Sequence, residues 1–497
     1  MKKSQTYRLI FGYLGIFLIF IGITCLLPLI LLAFYPEESG DWLNFFIPGM
    51  STVAAGVGLM QLLRGMHGVK LGKHQDCVLL VIIWVLAIGI CSIPFICRDD
   101  MDLTQSVFET TSGFCTIGLT VFQDFDSHLY VFYRSVCTLV GGVGLVLIIS
   151  SAISDKYGLK LYVAEGHSDK PLPNLKKSAI VILGIYLGII FIGTFAYCFA
   201  GMSVFDALVH SISAVATGGF SSKPGGLLEV PCSNLVAVEL ISIVLMILGG
   251  MNFLTHFLIL TGKGKKAIKD CEIRVFGLLS IIFIPLFFIS TLKTNLSTHN
   301  IEGVWNNFAA STFTFFSAIT TTGFSNVADI TVLGEATLFL IVFINVIGGG
   351  MGSTAGGVKQ YRVAIAAKSF YWGTRARYGH SRMVYPHFIY RCGEEKEVTH
   401  NDSIEAFGYI ILYLIIMFAG SFLVSLFSGS AFNDALFEFS NAISSTGLSN
   451  GLTAACRDNA PVLWTMLLAM FAGRLEVLAI FFAFYRVIRD ILGKDTL

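Results

Sequence analysis

A chain of 497 residues would ordinarily fold as several soluble domains, but hydrophobic residues make up 55% of this one and charged residues only 13%. Its mean hydropathy is +0.76, and so few charges cannot cover a water-facing surface. A net charge of +1 gives no electrostatic case for a nucleic-acid partner. Eleven cysteines lie scattered, mostly inside apolar runs, without a C-x-x-C pair or a Cys/His spacing, which argues against disulfides or a zinc site.

In chain order, the first apolar run covers residues 9–32. It continues through Pro28 and has no small-x-small cleavage site, so it reads as a retained helix rather than a signal peptide. A second run covers 43–63, and others follow at 78–96, 129–149, 179–199 and 410–426. Each is close to the ~20 residues that cross ~30 Å of hydrocarbon as helix. Further helical spans are read at about 337–368 and 461–485.

The charges between these runs orient the chain. Lys2, Lys3 and Arg8 precede the first span, and Glu37, Glu38 and Asp41 follow it. Arg64, Lys70 and Lys73 come next, then Asp99, Asp100 and Asp102, then Lys156, Lys160, Lys176 and Lys177. Lys263, Lys265, Lys266 and Lys269 fill a later loop. The longest polar stretch, 369–401, carries Arg375, Arg377, Arg382, Arg391 and Lys396, and Arg486, Arg489 and Lys494 close the chain. Basic loops belong on the cytoplasmic side. The alternation stays in phase, with both termini cytoplasmic, only if certain short apolar segments do not cross.

Those segments introduce an internal repeat, SGFCTIGLT, SAVATGGFS, SAITTTGFS and NAISSTGLS, beginning at Ser112, Ser213, Ser317 and Asn441. The aligned glycines are Gly118, Gly219, Gly323 and Gly447, and two residues before them stand Thr116, Thr217, Thr321 and Ser445. A fourfold match in register fixes architecture. Close helix packing through small residues would explain one copy but not four. Each copy follows a segment too short to span, at 103–114, 204–215, 304–319 and 431–443, which fits a re-entrant helix. The chain then returns in irregular form, tolerated at that depth only where it lines protein or water. Glycine there reaches positive φ and lets carbonyls face one axis. Four such loops would replace a cation's hydration shell with carbonyl and hydroxyl oxygens, and the C-terminal helix ends would favour positive charge. The expected cation ligands are Thr116, Ile117, Gly118, Thr217, Gly218, Gly219, Thr321, Thr322, Gly323, Ser445, Thr446 and Gly447. The expected fold is all-α and polytopic: two N-terminal helices (1–73), then four helix–pore loop–helix units over 74–160, 161–270, 271–400 and 401–497.

These residues resemble the TrkH-type subunits of the Trk/Ktr/HKT superfamily of potassium transporters over nearly the whole chain. One glycine per repeat is the hallmark of that family. IGGGMGSTAGGVK (347–359) looks like its glycine-rich break in the second helix of repeat three. AGRLEVL (472–478) and GGMNFLTHF (249–257) look like the corresponding helices of repeats four and two. Repeat one departs from the pattern, with Ile117 where threonine is commoner, so that corner is expected to lack a hydroxyl. The resemblance implies potassium as the transported ion, a homodimer with one pore per subunit and a bacterial inner-membrane location. It also implies a cytosolic TrkA-like (RCK/KTN) ring that carries the nucleotide, ATP/ADP or NAD, with no cofactor bound covalently to this chain.

Gly348, Gly349, Gly350, Gly352, Gly356 and Gly357 interrupt a helix at about 1 kcal/mol each relative to alanine. They form either a passive kink or, as the resemblance implies, a gate with Lys359 at its inner end. It is the only helix expected to be badly broken. Arg474 sits where charge usually faces water or a partner. It reads as a pore-facing positive charge that limits cation occupancy below the filter, with bonding to loop carbonyls as the rival role; both can hold. Glu109, His210 and Glu438 on the short helices read as polar packing groups rather than ion ligands. Glu239, His256 and Glu476 are left unassigned. Segment 369–401 is either a solvated basic loop or a docking site for a partner or anionic lipid. No H-E-x-x-H, G-x-S-x-G or G-x-x-x-x-G-K-[ST] occurs, which argues against an enzyme. An ion-coupled (H+ or Na+) secondary transporter is the alternative, although it predicts two inverted halves rather than four copies.

Overall fold

Long apolar runs without a hydrogen-bonding solvent must satisfy their own backbone, and this chain does so almost wholly as helix. The computed structural model describes residues 3–63, 75–144, 175–294, 301–378, 387–475 and 477–491. Lys2, Arg64, Lys70, Lys73, Lys156, Lys160, Arg382, Glu476, Lys494 and the expected boundaries at 74 and 160 lie outside them. Six described helices are long and apolar enough to cross a membrane, or seven if a bent pair counts as one span.

The N-terminal helices α1 (Lys3–Leu26) and α2 (Trp42–Met60) pack as a hairpin. Glycines set their separation. A β-carbon on Gly15 would fall 2.7 Å from the Gly56 carbonyl, and one on Gly22 would fall 2.7 Å from that of Gly49. Close backbone approach supplies the packing that the hydrophobic effect does not provide between helices in lipid.

Among the described residues four units follow, each with an outer helix, a pore helix and an inner helix. Unit one has Gln75–Cys91, Leu103–Phe114 and His128–Val143. Unit two has Leu175–Phe199, Val204–Val215 and an inner helix in two pieces, Leu235–Gly250 and Phe253–Leu260, that meet at 105°. Unit three has Cys271–Thr294, Ile301–Ile319 and the pieces Glu335–Ile347 and Gln360–Tyr378. Unit four has His400–Ser428, Phe432–Ile443 and the pieces Ala460–Arg474 and Val477–Ile491. The first two pore helices have the limits expected from sequence. The third begins at Ile301 rather than 304, and the fourth at Phe432 rather than 431. Sequence also decides where they start. Asp102 and Gln105 form a reciprocal capping box on the first, and Ser203 accepts from the Asp206 amide on the second.

Large apolar side chains such as Phe191, Ile281 and Leu468 face outward, while Thr116, Ser213, Thr321 and Glu438 are buried. Such an inversion suits a hydrocarbon surrounding. Within the expected loop 369–401 the structure has helix as far as Tyr378 and a hairpin, β1 (Phe388–Arg391) with β2 (Glu394–Glu397). Its turn residues Cys392 and Gly393 both have positive φ, 52° and 89°, as a tight hairpin requires. The turn docks just before the Cys271–Thr294 helix, where the Cys392 amide donates to Asp270 at 2.6 Å.

Candidate ion pathway

The four pore helices end alike. The Thr116 amide donates to the Gly113 carbonyl and the Ile117 amide to the Ser112 carbonyl, both at 2.9 Å. The same two bonds recur from Thr217 and Gly218, from Thr321 and Thr322, and from Ser445 and Thr446. This is the Schellman termination, whose left-handed residue is usually glycine. Here it is Thr116, Thr217, Thr321 or Ser445, at φ 54°, 51°, 52° and 56°. A side chain in that region costs roughly 1–2 kcal/mol. Four such residues at one place mark a constraint imposed by the surroundings. Glycine would relieve the strain but would remove the hydroxyl.

The chain then leaves through Gly118, Gly219, Gly323 and Gly447, at φ 90°, 67°, 85° and 84°. These glycines close a ring. A β-carbon on Gly118 would strike the Gly218 carbonyl, one on Gly219 that of Thr322, one on Gly323 that of Thr446, and one on Gly447 that of Ile117. Each unit therefore faces the next and the fourth faces the first, so the strands surround one axis in sequence order. The pore-helix C-termini lead into this ring and lend it negative potential. Over it opens a cavity of about 500 Å³, lined by Gly219, Gly323, Gly447 and the strands beyond them. Asp329 also lines it. Bonds from the Thr331 hydroxyl and amide hold the Asp329 carboxyl below its usual range.

Ile117 brings no hydroxyl to its corner. At the same station Thr322 and Thr446 turn back to Thr320 and Ser444, at 2.9 and 2.8 Å. The hydroxyls one residue earlier differ among themselves. Those of Thr116 and Ser445 are buried without a hydrogen-bond partner. Thr217 instead donates to the Thr354 hydroxyl at 3.0 Å, and Thr321 accepts the Gly356 amide at 2.7 Å.

Thr354 and Gly356 belong to the glycine-rich segment 348–359, which lies against the inner side of the ring. Gly348, Gly352 and Gly357 take positive φ, and a β-carbon on Gly356 would strike the Ser444 carbonyl. The Gly350 amide donates to the Gly250 carbonyl at 3.0 Å. Met351 donates to Glu272 at 2.9 Å, and the Phe253 amide donates to the Gly352 carbonyl at 3.1 Å. Gly349 is packed on Ala355. Lys359, at φ 80°, donates from its ammonium to the Ala355 carbonyl. Arg474, at the end of its helix, donates to the Thr354 carbonyl at 2.7 Å, to Gly142 at 3.1 Å and to Gly141. The guanidinium thus bonds to loop carbonyls and ties the loop to unit one.

The inner helix of unit three is not alone in being broken. That of unit two bends at Met251, that of unit four ends at Arg474, and that of unit one ends before Gly144, at φ 88°. Just before each of these three ends, a glycine packs on the last carbonyl of its own pore helix: Gly141 on Phe114, Gly249 on Val215 and Gly473 on Ile443. At the bend His256 lies 2.8 Å from the Leu248 carbonyl, filling a place that the broken helix leaves open.

Behind the ring, Glu109 and Arg134 form a buried ion pair at 2.7 Å, with the guanidinium 4.1 Å from the Phe220 ring centre. Removing one partner strands the other charge. Arg134→Leu is expected to destabilise the protein by about 3–5 kcal/mol, read as a fall in melting temperature of the detergent-solubilised protein. The Glu109→Gln/Arg134→Leu double variant should recover part of that loss.

An uncharacterized cation transporter of Methanocaldococcus jannaschii is 28% identical over 93% of this chain and 92% of its own length. The Trk system potassium uptake protein TrkG of Escherichia coli is also 28% identical, over 93% and 94% of the two chains. The crystal structure of the potassium transporter TrkH from Vibrio parahaemolyticus superposes with a TM-score of 0.81, covering 97% of this chain and 98% of that one, at 22% identity. That likeness establishes the fold. TrkH, the cation transport protein family, matches residues 43–489, and the chain belongs to that family of multi-pass membrane transporters.

Proposed function

We propose that this chain is the ion-conducting subunit of a potassium uptake system in a bacterial inner membrane. The observation that carries the reading is the closed ring in which each unit's glycine faces the next unit's carbonyl. Such a ring, with hydroxyls of Thr116, Thr217, Thr321 and Ser445 below it, can replace the water around a dehydrated monovalent cation. Relatives in Vibrio parahaemolyticus and Escherichia coli are described as Trk system potassium uptake proteins. Segment 348–359 acts as the gate, because it bonds to two of the four hydroxyls and must withdraw before an ion can leave inward. The working assembly is a homodimer whose basic cytoplasmic face receives a nucleotide-binding regulatory ring.

The test is uptake of radioactive rubidium by liposomes holding the purified protein, with potassium or sodium as competitor. Potassium should compete far better than sodium, and uptake should persist when proton and sodium gradients are collapsed. No uptake with any regulatory partner or nucleotide would sink the reading. Uptake that stops with either gradient would make the chain a coupled transporter.

A further inference from the structure

We propose that Glu109, His210, Glu239 and Glu438 are positioning residues for the outer mouth of the filter. Each pins one strand leaving a filter glycine, and together they set cation discrimination without touching the ion. The inference rests on the conduction reading above.

Every strand carries a hydroxyl residue two places after its glycine: Thr120, Ser221, Ser325 and Ser449. In unit one Glu109 accepts from the Thr120 hydroxyl at 2.9 Å and from the Val121 amide at 3.0 Å. In unit two His210 Nδ1 lies 2.8 Å from the Asp206 carbonyl and Nε2 lies 3.0 Å from the Ser221 hydroxyl. A carbonyl only accepts, so Nδ1 carries the proton and Nε2 of the neutral ring accepts from Ser221. In unit four Glu438 accepts from the Ser449 hydroxyl at 2.7 Å, the Asn450 amide at 3.1 Å, the Thr453 amide at 3.0 Å and the Thr453 hydroxyl. All three anchors occupy one station, seven residues before Thr116, Thr217 and Ser445.

Unit three breaks the pattern. Its station holds Thr314, and Ser325 bonds within its own strand, donating to the Val327 carbonyl at 2.8 Å. The anchor there comes from the neighbouring unit, where half-buried Glu239 accepts from the Asn326 side chain at 3.1 Å.

The anchors are unequal. Charge-assisted bonds are roughly twice as strong as neutral ones, and Glu438 collects four donors. Like every strand of the ring, its strand touches both neighbours: the Thr446 carbonyl faces Gly323 and Gly447 faces the Ile117 carbonyl. Releasing that strand shifts carbonyls on two sides of the ring. Selectivity depends on the placement and number of those oxygens.

The experiment measures the ratio of sodium to potassium concentrations that half-inhibit rubidium uptake, in proteoliposomes of wild type, Glu438→Ala, Glu438→Gln, Glu239→Ala and Ser440→Ala. Glu438→Ala should lower the ratio by about tenfold or more. Glu438→Gln, which keeps an acceptor, should lower it less, and Glu239→Ala, which removes the acceptor for Asn326, should also lower it. Ser440 lies on the same pore helix but donates within it, to the Phe437 carbonyl, so Ser440→Ala should leave the ratio unchanged. If Glu438→Ala does not fold, Glu239→Ala decides, because its site is only half-buried. Preserved uptake with unchanged ratios in the anchor variants overturns the inference alone, as does an equal fall in Ser440→Ala. A wild type that takes up no rubidium sinks the conduction reading and this inference with it.

Discussion

Gly323→Ser is expected to abolish the preference for potassium over sodium while leaving a folded protein that still passes rubidium. Two costs fall on the same position. Gly323 sits at φ 85°, where a side chain is strained by roughly 1–2 kcal/mol. Its β-carbon would also occupy the space of the Thr446 carbonyl of the next unit. The strain is local, but the overlap is not. Thr446 is held by its amide bond to the Asn441 carbonyl and by its hydroxyl bond to Ser444, so its carbonyl cannot simply swing aside. The ring opens at that corner instead, and the smaller, more strongly hydrated sodium then loses less by entering. In the rubidium competition assay the sodium-to-potassium ratio should fall by about tenfold or more, as expected when a factor of ten needs only 1.4 kcal/mol. Gly277→Ser is the matched control, because nothing lies within 4 Å of a β-carbon there. An unchanged ratio in Gly323→Ser would place the ion path away from these glycines.

The parts of this architecture that sequence displays are those repeated in register or paid for in unusual residues. Four T-x-G strands announce themselves because each corner needs the same backbone. The pore-helix limits Leu103–Phe114 and Val204–Val215 follow from polar caps and from length alone. The break over 348–357 is visible because six glycines in ten residues cannot sustain a helix. The break in unit two escapes this kind of reading. Its local sequence offers only Gly249 and Gly250, and the helix ends because the unit-three loop takes over its carbonyls, through Gly350 on Gly250 and Thr354 on Gly249. A usable signal was Asn252, whose side chain accepts from the Leu254 amide and restarts the helix. What Ile117 changes is hidden for a related reason, since the sequence does not reveal that Thr322 and Thr446 bond back to Thr320 and Ser444. The partner of Arg474 was equally hidden, because Thr354 and Gly141 lie 120 and 333 residues away.

That partnership leads to the second large effect. Arg474→Gln is expected to raise the initial rate of rubidium uptake, measured without any regulatory subunit, by about tenfold or more, because bonds to a charged donor contribute about 1.5–3 kcal/mol each. Two physical causes have the same sign. The guanidinium holds the loop through Thr354 while bracing against Gly141 and Gly142, and its charge also repels a cation leaving the ring. Arg474→Lys and Thr354→Val separate them. Lysine keeps the charge but loses the planar fork that reaches several carbonyls at once. Thr354→Val keeps Arg474 and its bond to the Thr354 carbonyl, but deletes the hydroxyl that meets Thr217, Val215 and Gly249. If both variants raise uptake, the loop's bonds are the barrier. If neither does while Arg474→Gln does, repulsion is the barrier. If none of the three changes uptake, segment 348–359 does not limit flux, and the obstruction to an inward-moving ion must lie elsewhere along the axis.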